Sequence, residues 1–332
     1  MTDDTPVFTA RDIPDLINTL PTLFGFTPED SIVAISTYGP RHRLGFRMRM
    51  DMPAEEHFGL AAGQIVTHLA RQNAEGAIVI AVTDQTDAAA QLVPQIERRL
   101  GTIQSVVGAW ADGKRYWTTL EDCDPAGLPY ERSDHHLAIV QAIAGGQEIL
   151  PSRAALAAKL DPVTGPRQRW LNHSAEIVAK QIAAQLSADP DLPIQDVAMA
   201  DLAPALEAAL ARRRLTDDHA LRLAVWATTV PVRDALWALI TPGNARDMVG
   251  LWSHVVRCAP PWMSPPSLSL AGFASWLSGD GALALIAAER ALAIDSHYTL
   301  AGLLLRLLEG GVSPALWRPL GGGEQAFAQI TP

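Results

Sequence analysis

The chain has 332 residues, which is enough for about two domains that each bury their own core. With 48% apolar and 19% charged residues, its composition is typical of a globular protein and excludes a disordered one. The net charge of −10 argues against broad binding to nucleic acids or anionic membranes, because such binding needs a basic surface.

Three features predict a cytoplasmic protein without membrane association. The first residues, MTDDTPVFTARD, lack the basic and apolar regions of a signal peptide. No uninterrupted apolar run reaches the roughly 18 residues of a membrane span. The two cysteines, Cys123 and Cys258, are too few for a disulfide framework and suit a reducing compartment.

Residues 1–128 predict a mixed α/β domain. The first helix starts at Asp12 and meets Pro21, which we expect to end or kink it before a last turn closes at Gly25. Further helices are predicted over 53–73 and 87–100. Strands are predicted over 31–37, 44–50, 76–83, 103–110 and 114–120. This order favours a mixed, partly parallel sheet of about five strands with flanking helices.

Residues 129–332 predict an α-helical domain that follows a turn-rich boundary near residue 128. The expected helices cover 134–145, 151–160, 168–187, 195–213, 217–240, 244–257, 267–278, 281–294 and 297–309. Within the 217–240 helix, Trp226, Val230, Arg233 and Trp237 would share one face, as core or as a ligand groove.

Residues 272–301 resemble a single tetratricopeptide repeat, a helix-turn-helix unit. Gly272, Ala284 and Asp295 stand where that motif has its marks, whereas Ser296 replaces the usual proline. No second copy follows at a spacing of about 34 residues, and a stable array needs about three. We therefore predict a tetratricopeptide-like hairpin rather than an array.

Acidic residues at strand ends are the candidates for catalysis. Asp51 follows the second strand and Asp84 the third, where ligands of α/β sheets often bind. Two carboxylates there would suit Mg²⁺ or acid–base chemistry. The alternative is that both residues are N-caps of the helices that follow them.

The second strand and the segment before the first strand supply candidates for ligand binding. Arg47 and Arg49 share one face of the second strand and could clamp an anion or remain a solvated edge. In GFTPEDS, Asp30 and Ser31 could line a pocket, but bonding to their own turn makes this segment a structural joint. We favour the joint.

The sequence offers little for a metal, a cofactor or a nucleophile. His254 and Cys258, four residues apart on a helix, form half of a metal site at most, so we expect neither metal nor cofactor. Phosphate-binding and nucleophile motifs of the P-loop, dinucleotide and serine-hydrolase types are absent. The arginines at 212–214 suit the dipole at a helix C-terminus.

Several segments together resemble the actinobacterial family of domain of unknown function 4192. They are LINTLPTLFGFTPEDSIVAIS, FRMRMDMP, GGQEILPSRAAL, VRDALWA and GDGALALIAAERALAID, in this order along nearly the whole chain. The resemblance implies a bacterial intracellular protein and brings no catalytic residue. Family members often have a Cys pair in a CCP-x-x-G segment, whereas EDCDPAGLP here has Cys123 alone.

The sequence therefore predicts a non-catalytic module that binds a protein partner or a small ligand, with a homo-oligomer as one form of that hypothesis. The alternative is a hydrolase or phosphate-handling enzyme that uses Asp51 and Asp84, with Arg47 and Arg49 holding an anion.

Overall fold

The computed structural model describes residues 10–188 and 190–317. Most of the acidic N-terminal segment used to argue against a signal peptide therefore lies outside the described residues. The chain divides into two compact units, one up to Arg153 and one from Ala154. The sequence placed this division near residue 128, and the segment 129–153 groups with the first unit instead.

The first unit contains a mixed six-stranded sheet with the order β2-β1-β3-β4-β5-β6. Its strands are β1 (Ser31–Tyr38), β2 (Arg43–Asp51), β3 (Gly76–Val82), β4 (Gln104–Ala111), β5 (Arg115–Thr118) and β6 (Leu128–Pro129). Only β3 and β4 pair in parallel; all other neighbours are antiparallel. The predicted mixed α/β fold is confirmed, and the sixth strand went unpredicted because two residues carry no periodic signal.

Helices cover both faces of this sheet. They are α1 (Ile13–Phe24), α2 (Phe58–Arg71), α3 (Thr86–Glu97) and α4 (Leu137–Ala144), with a 3₁₀ turn at Glu55–His57. Ile32 and Ala34 of β1 pack with α2 and α3, whereas Val33 and Ile35 pack with α1. Alternate residues of a strand point to opposite faces, so β1 is buried on both sides.

Helix α1 closes at Gly25, as the sequence predicted. Helix α1 passes through Pro21 and ends at Gly25, whose φ of 73° makes it the left-handed cap. Burial of Leu16, Ile17 and Leu20 in the core offsets the hydrogen bond that Pro21 cannot donate.

Arg47 and Arg49 share one face of β2, as predicted, but the strand is irregular nearer its start. A register shift pairs Leu44 with Thr37 but Met48 with Ala34. Since Thr37 and Ala34 point to opposite faces, Leu44 points away from the face that holds Met48.

The second unit is α-helical, as predicted. Its helices are α5 (Arg153–Ala158), α6 (Pro166–Ala188), α7 (Ile194–Leu210), α8 (Asp217–Ala227), α9 (Val230–Ala238), α10 (Ala245–Cys258), α11 (Pro265–Leu277), α12 (Gly281–Ile294) and α13 (Thr299–Glu309). Short 3₁₀ turns occupy Pro261–Met263 and Pro314–Leu316.

The single helix predicted over 217–240 is two helices. The chain breaks at Thr228 and Thr229, and Pro231 lies in the first turn of α9, where its missing N–H is tolerated. Trp226 and Trp237 therefore do not share one continuous helical face. Trp226 is buried in α8, whereas Trp237 packs edge-on against Phe273.

Helices α11, α12 and α13 pack consecutively on one another. Asp280 accepts a hydrogen bond from the backbone of Leu283 and caps α12, and Gly279 has a left-handed φ of 89°. Gly272 faces Leu304 and Ala287 so closely that a Cβ would lie 2.6 Å from the Leu304 side chain. This is a tight helical hairpin, and its assignment to the tetratricopeptide class stays a prediction.

No helix in the described part of the chain combines the length and the apolar character that a membrane span needs.

Candidate functional site

The candidate residues of the first unit meet at one edge of the sheet, where β2 and β3 end and β1 begins. We call this the sheet edge. Asp51 pairs with Arg49 at 2.5 Å and its side chain is 79% exposed. Asp84 is exposed and makes no hydrogen bond or ion pair with another described residue. Neither caps a helix, since α3 has Gln85 at its N-cap and α2 has His57, so the capping alternative was wrong.

Asp30 links two strands instead of bonding its own turn. With a φ of 46°, it accepts hydrogen bonds from the Thr83 hydroxyl at 2.6 Å and the Gln85 amide at 3.2 Å. Ser31 is buried in β1, and its hydroxyl has no hydrogen-bond partner among the described residues. The segment therefore connects the start of β1 to the end of β3.

The two arginines of β2 differ in their surroundings. Arg47 lies opposite Ile35 and is exposed, whereas Arg49 lies opposite Val33 and is largely buried. Arg49 also donates to the backbone oxygen of Glu29. A cavity beside this edge, lined by Pro28 and Val82 among others, measures only about 30 Å³. That is roughly the volume of one water molecule in the liquid.

A much larger cavity, of about 520 Å³, lies in the second unit and is lined by five arginines. We call it the arginine cavity. Its arginines come from the start of α6, from the turn between α7 and α8, and from the first turn of α10. They are Arg167, Arg212, Arg213, Arg214 and Arg246.

Local sequence signals set this arrangement. Helix α7 ends at Leu210, and Arg212 adopts a left-handed φ of 53° that turns the chain away from the helix axis. Thr216 then caps α8, its hydroxyl accepting from the backbone of His219, so that Asp217 becomes the first residue of α8. The run of arginines is thus held in a short turn between two capped helices.

Only two of the five arginines are neutralised by cavity carboxylates. Arg167 binds both carboxylate oxygens of Asp217, at 2.8 and 3.1 Å, and Arg212 binds Asp247 at 2.9 Å. Within the described residues, the side chains of the other three arginines make no hydrogen bond or ion pair; these are Arg213, Arg214 and Arg246. The cavity therefore keeps three positive charges in a chain whose net charge is −10.

His254 and Asp217 line the arginine cavity, and the buried Cys258 lies beside them. His254 and Cys258 lie one turn apart on α10, with the Cys258 sulfur 3.8 Å from His254 Nε2. The same sulfur lies 3.9 Å from Asp217 Oδ1, and all three donor atoms lie within 4.8 Å of one another. Within the described residues, this is the one group of His, Cys, Asp or Glu side chains with the geometry to hold a metal ion.

Burial is the main cause of the pKa shifts of His254 and Cys258. It lowers the pKa of His254, with a further lowering from Arg257, Arg167 and Arg214, and only Asp217 acts in the opposite direction. Burial raises the pKa of the Cys258 thiol to about 11, and the Asp217 charge adds to the rise. At neutral pH the imidazole is neutral and the thiol is protonated, so Cys258 is not an activated nucleophile.

Sequence reasoning missed this cavity, although parts of its signal were visible. The arginines at 212–214 were assigned to the helix dipole alone, and His254 and Cys258 were recognised only as half a metal site. Arg167, Arg246 and Asp217 carried no local signal of function. The hint to the cavity itself was three consecutive arginines just before a helix start, in RRRLTDD.

The fold and this site define a protein with a mixed α/β unit and a helical unit that carries an arginine-lined cavity. The chain belongs to the DUF4192 family, described as a domain of unknown function, whose model matches residues 14–315. No curated protein and no solved structure matches the chain.

Proposed function

We propose that the second unit binds a phosphorylated small molecule in the arginine cavity. The observation that carries this proposal is the excess of three guanidinium groups with no partner among the described residues, around one cavity. Guanidinium groups match phosphate oxygens in shape and charge, and often bind them through two parallel hydrogen bonds.

The three arginines without a described partner come from two segments of the second unit but line one cavity. Arg213 and Arg214 come from the turn before α8, and Arg246 comes from α10. Like charges that converge repel one another and destabilise the fold unless an anion offsets them. A ligand that supplies two or three negative charges would remove this cost.

The size of the cavity favours a small molecule over a macromolecule. Its volume of about 520 Å³ lies within the roughly 300–1,000 Å³ of small-molecule sites. The three arginines are exposed at its rim, so a ligand would reach them from solvent. The protonated state of Cys258 favours binding over thiol-based catalysis.

Titration calorimetry with inorganic pyrophosphate, in the presence of a chelator, tests the proposal. We expect one pyrophosphate per chain, with an affinity that falls as salt is added, because screening weakens exposed charges. Replacing Arg213, Arg214 and Arg246 together by Gln should reduce affinity at least 100-fold. Nucleotides and sugar phosphates, tested in the same way, would then define the ligand class.

The matched control is Arg306→Gln, which removes one charge from an exposed position of α13 outside the cavity. It should bind pyrophosphate as the unmodified chain does. The proposal fails if pyrophosphate does not bind at millimolar concentration, or if the triple variant binds it unchanged.

A further inference from the structure

We infer that Asp217, His254 and Cys258 form a binding site for a zinc-type divalent cation beside the arginine cavity. Their donor atoms are separated by 3.8 Å (Cys–His) and 3.9 Å (Cys–Asp). In a tetrahedral zinc site the sulfur lies about 3.6 Å from each of the other donor atoms, given the usual Zn–S and Zn–N lengths. The two sulfur separations therefore need to shorten by only a few tenths of an ångström, and the His254 and Asp217 donor atoms, which lie within 4.8 Å of each other, would draw together to about 3.3 Å.

The protein backbone already positions the three ligands. His254 and Cys258 are four residues apart, which places both side chains on one face of α10. Asp217 reaches them from the first residue of α8, and Arg167 donates to both of its carboxylate oxygens, including the Oδ1 that lies near Cys258. A second hydrogen-bonding partner of this kind fixes the orientation of a metal ligand.

The ligand types select the metal. A thiolate and an imidazole favour zinc and similar transition metals, whereas Mg²⁺ and Ca²⁺ prefer sites built entirely from oxygen. Three protein ligands leave the fourth tetrahedral position open, as in catalytic zinc sites. His254 and Asp217 also line the cavity, so the open position is available to a cavity ligand or to water.

Binding of the ion requires the loss of one proton from the protein. His254 is neutral and ready to coordinate, whereas Cys258 must lose its proton to solvent as the metal–sulfur bond forms. One proton is therefore released per ion bound. The site needs no oxidant or other reactant, and it does not depend on the phosphate ligand proposed above.

Titration of the chelator-treated full chain with Co²⁺ tests the site, because a cobalt–thiolate bond absorbs in the near ultraviolet. We expect one Co²⁺ per chain with that absorption band, and its loss when Zn²⁺ is added. Cys258→Ser should abolish the band, and His254→Gln and Asp217→Asn should weaken Co²⁺ binding at least tenfold.

The chain supplies matched controls for the thiol and the imidazole ligands. Cys123→Ser removes the other free thiol, and His297→Gln removes an exposed histidine; both should keep the band. Circular dichroism identifies variants that fail to fold. If Cys258→Ser does not fold, the weaker Co²⁺ binding expected of His254→Gln tests the site instead, because His254 is only half-buried. No thiolate band in the unmodified chain, a band that persists in Cys258→Ser, or one lost in Cys123→Ser would overturn the inference. Pyrophosphate binding, measured with chelator present, reports separately on the anion proposal.

Discussion

The sheet edge and the arginine cavity both bring Arg and Asp side chains together, but they use these charges differently. At the sheet edge, Arg49 binds Asp51 and a backbone oxygen, Asp30 binds Thr83 and Gln85, and the adjacent cavity holds about one water molecule. In the arginine cavity, three of five arginines lack a described partner and about 520 Å³ is open. Charges indicate a binding site when both excess charge and space are present.

The comparison first implies that a buried charge whose hydrogen bonds and ion pairs are all formed within the protein stabilises the fold. Asp201 accepts hydrogen bonds from Arg222 and from the indole of Trp226, and its side chain is only 14% exposed. Asp201→Ala would leave both donors without this partner, so we expect it to lower the free energy of unfolding by about 3 kcal/mol. Urea denaturation measures the change.

Asp218→Ala is the matched control, because Asp218 pairs with the same Arg222 but its side chain is 59% exposed. It should cost less than about 1 kcal/mol. Equal losses for the two variants would mean that engagement and burial do not distinguish structural charges here.

The second prediction contrasts the two sites directly. Arg214→Gln should weaken pyrophosphate binding about tenfold, which corresponds to about 1.4 kcal/mol. The double variant Arg47→Gln and Arg49→Gln should leave that affinity unchanged, since its charges lie in the other unit. Calorimetry on both variants measures this. If only the double variant lost affinity, the result would show that the anion binds at the sheet edge and not in the arginine cavity.

The third prediction increases the charge excess instead of reducing it. Asp247→Asn removes the carboxylate that binds Arg212, so a fourth guanidinium becomes available in the cavity. We expect pyrophosphate affinity to rise about threefold, somewhat less than 1 kcal/mol, because the pair is partly exposed. Asp234→Asn, outside the cavity lining, is the control and should have no effect. An unchanged or lower affinity in Asp247→Asn would contradict the role of charge excess.

The smallest expected effect is on the pH dependence of stability, and it comes from Asp15, a hydrogen-bonded carboxylate of the first unit. A backbone hydrogen bond from Arg11, and next a hydrogen bond with His136, lower the pKa of Asp15 below its ordinary value. Because the folded-state pKa is the lower one, Asp15 stabilises the fold above its unfolded pKa near 3.9. That stability is lost as the pH falls through the folded pKa.

Denaturation of the unmodified chain and of Asp15→Asn at several pH values measures this contribution. The unmodified chain should be the more stable at pH 6, and the difference should shrink between about pH 5 and pH 3. A difference that stays constant over this range would show that the Asp15 charge is not responsible.

Much of the fold was predictable because its signals are local. The Asp12 cap and the helix end at Gly25 each act within a few residues, and both are where the sequence placed them. Other features carried no local signal. The register shift of β2 depends on its pairing with β1, and the two-residue strand β6 depends on its pairing with β5.

The sequence by itself determined the mixed α/β order, the helical second half and the family resemblance, because these depend on periodicity, capping and motif order along the chain. Only the tertiary structure decided where function could lie. Arg167, Arg214 and Arg246 belong to separate helices or turns, and Asp217 meets His254 and Cys258 only where α8 packs on α10. The physical reason is that charge excess and metal geometry arise from distances between segments, which helix packing sets and no local pattern encodes.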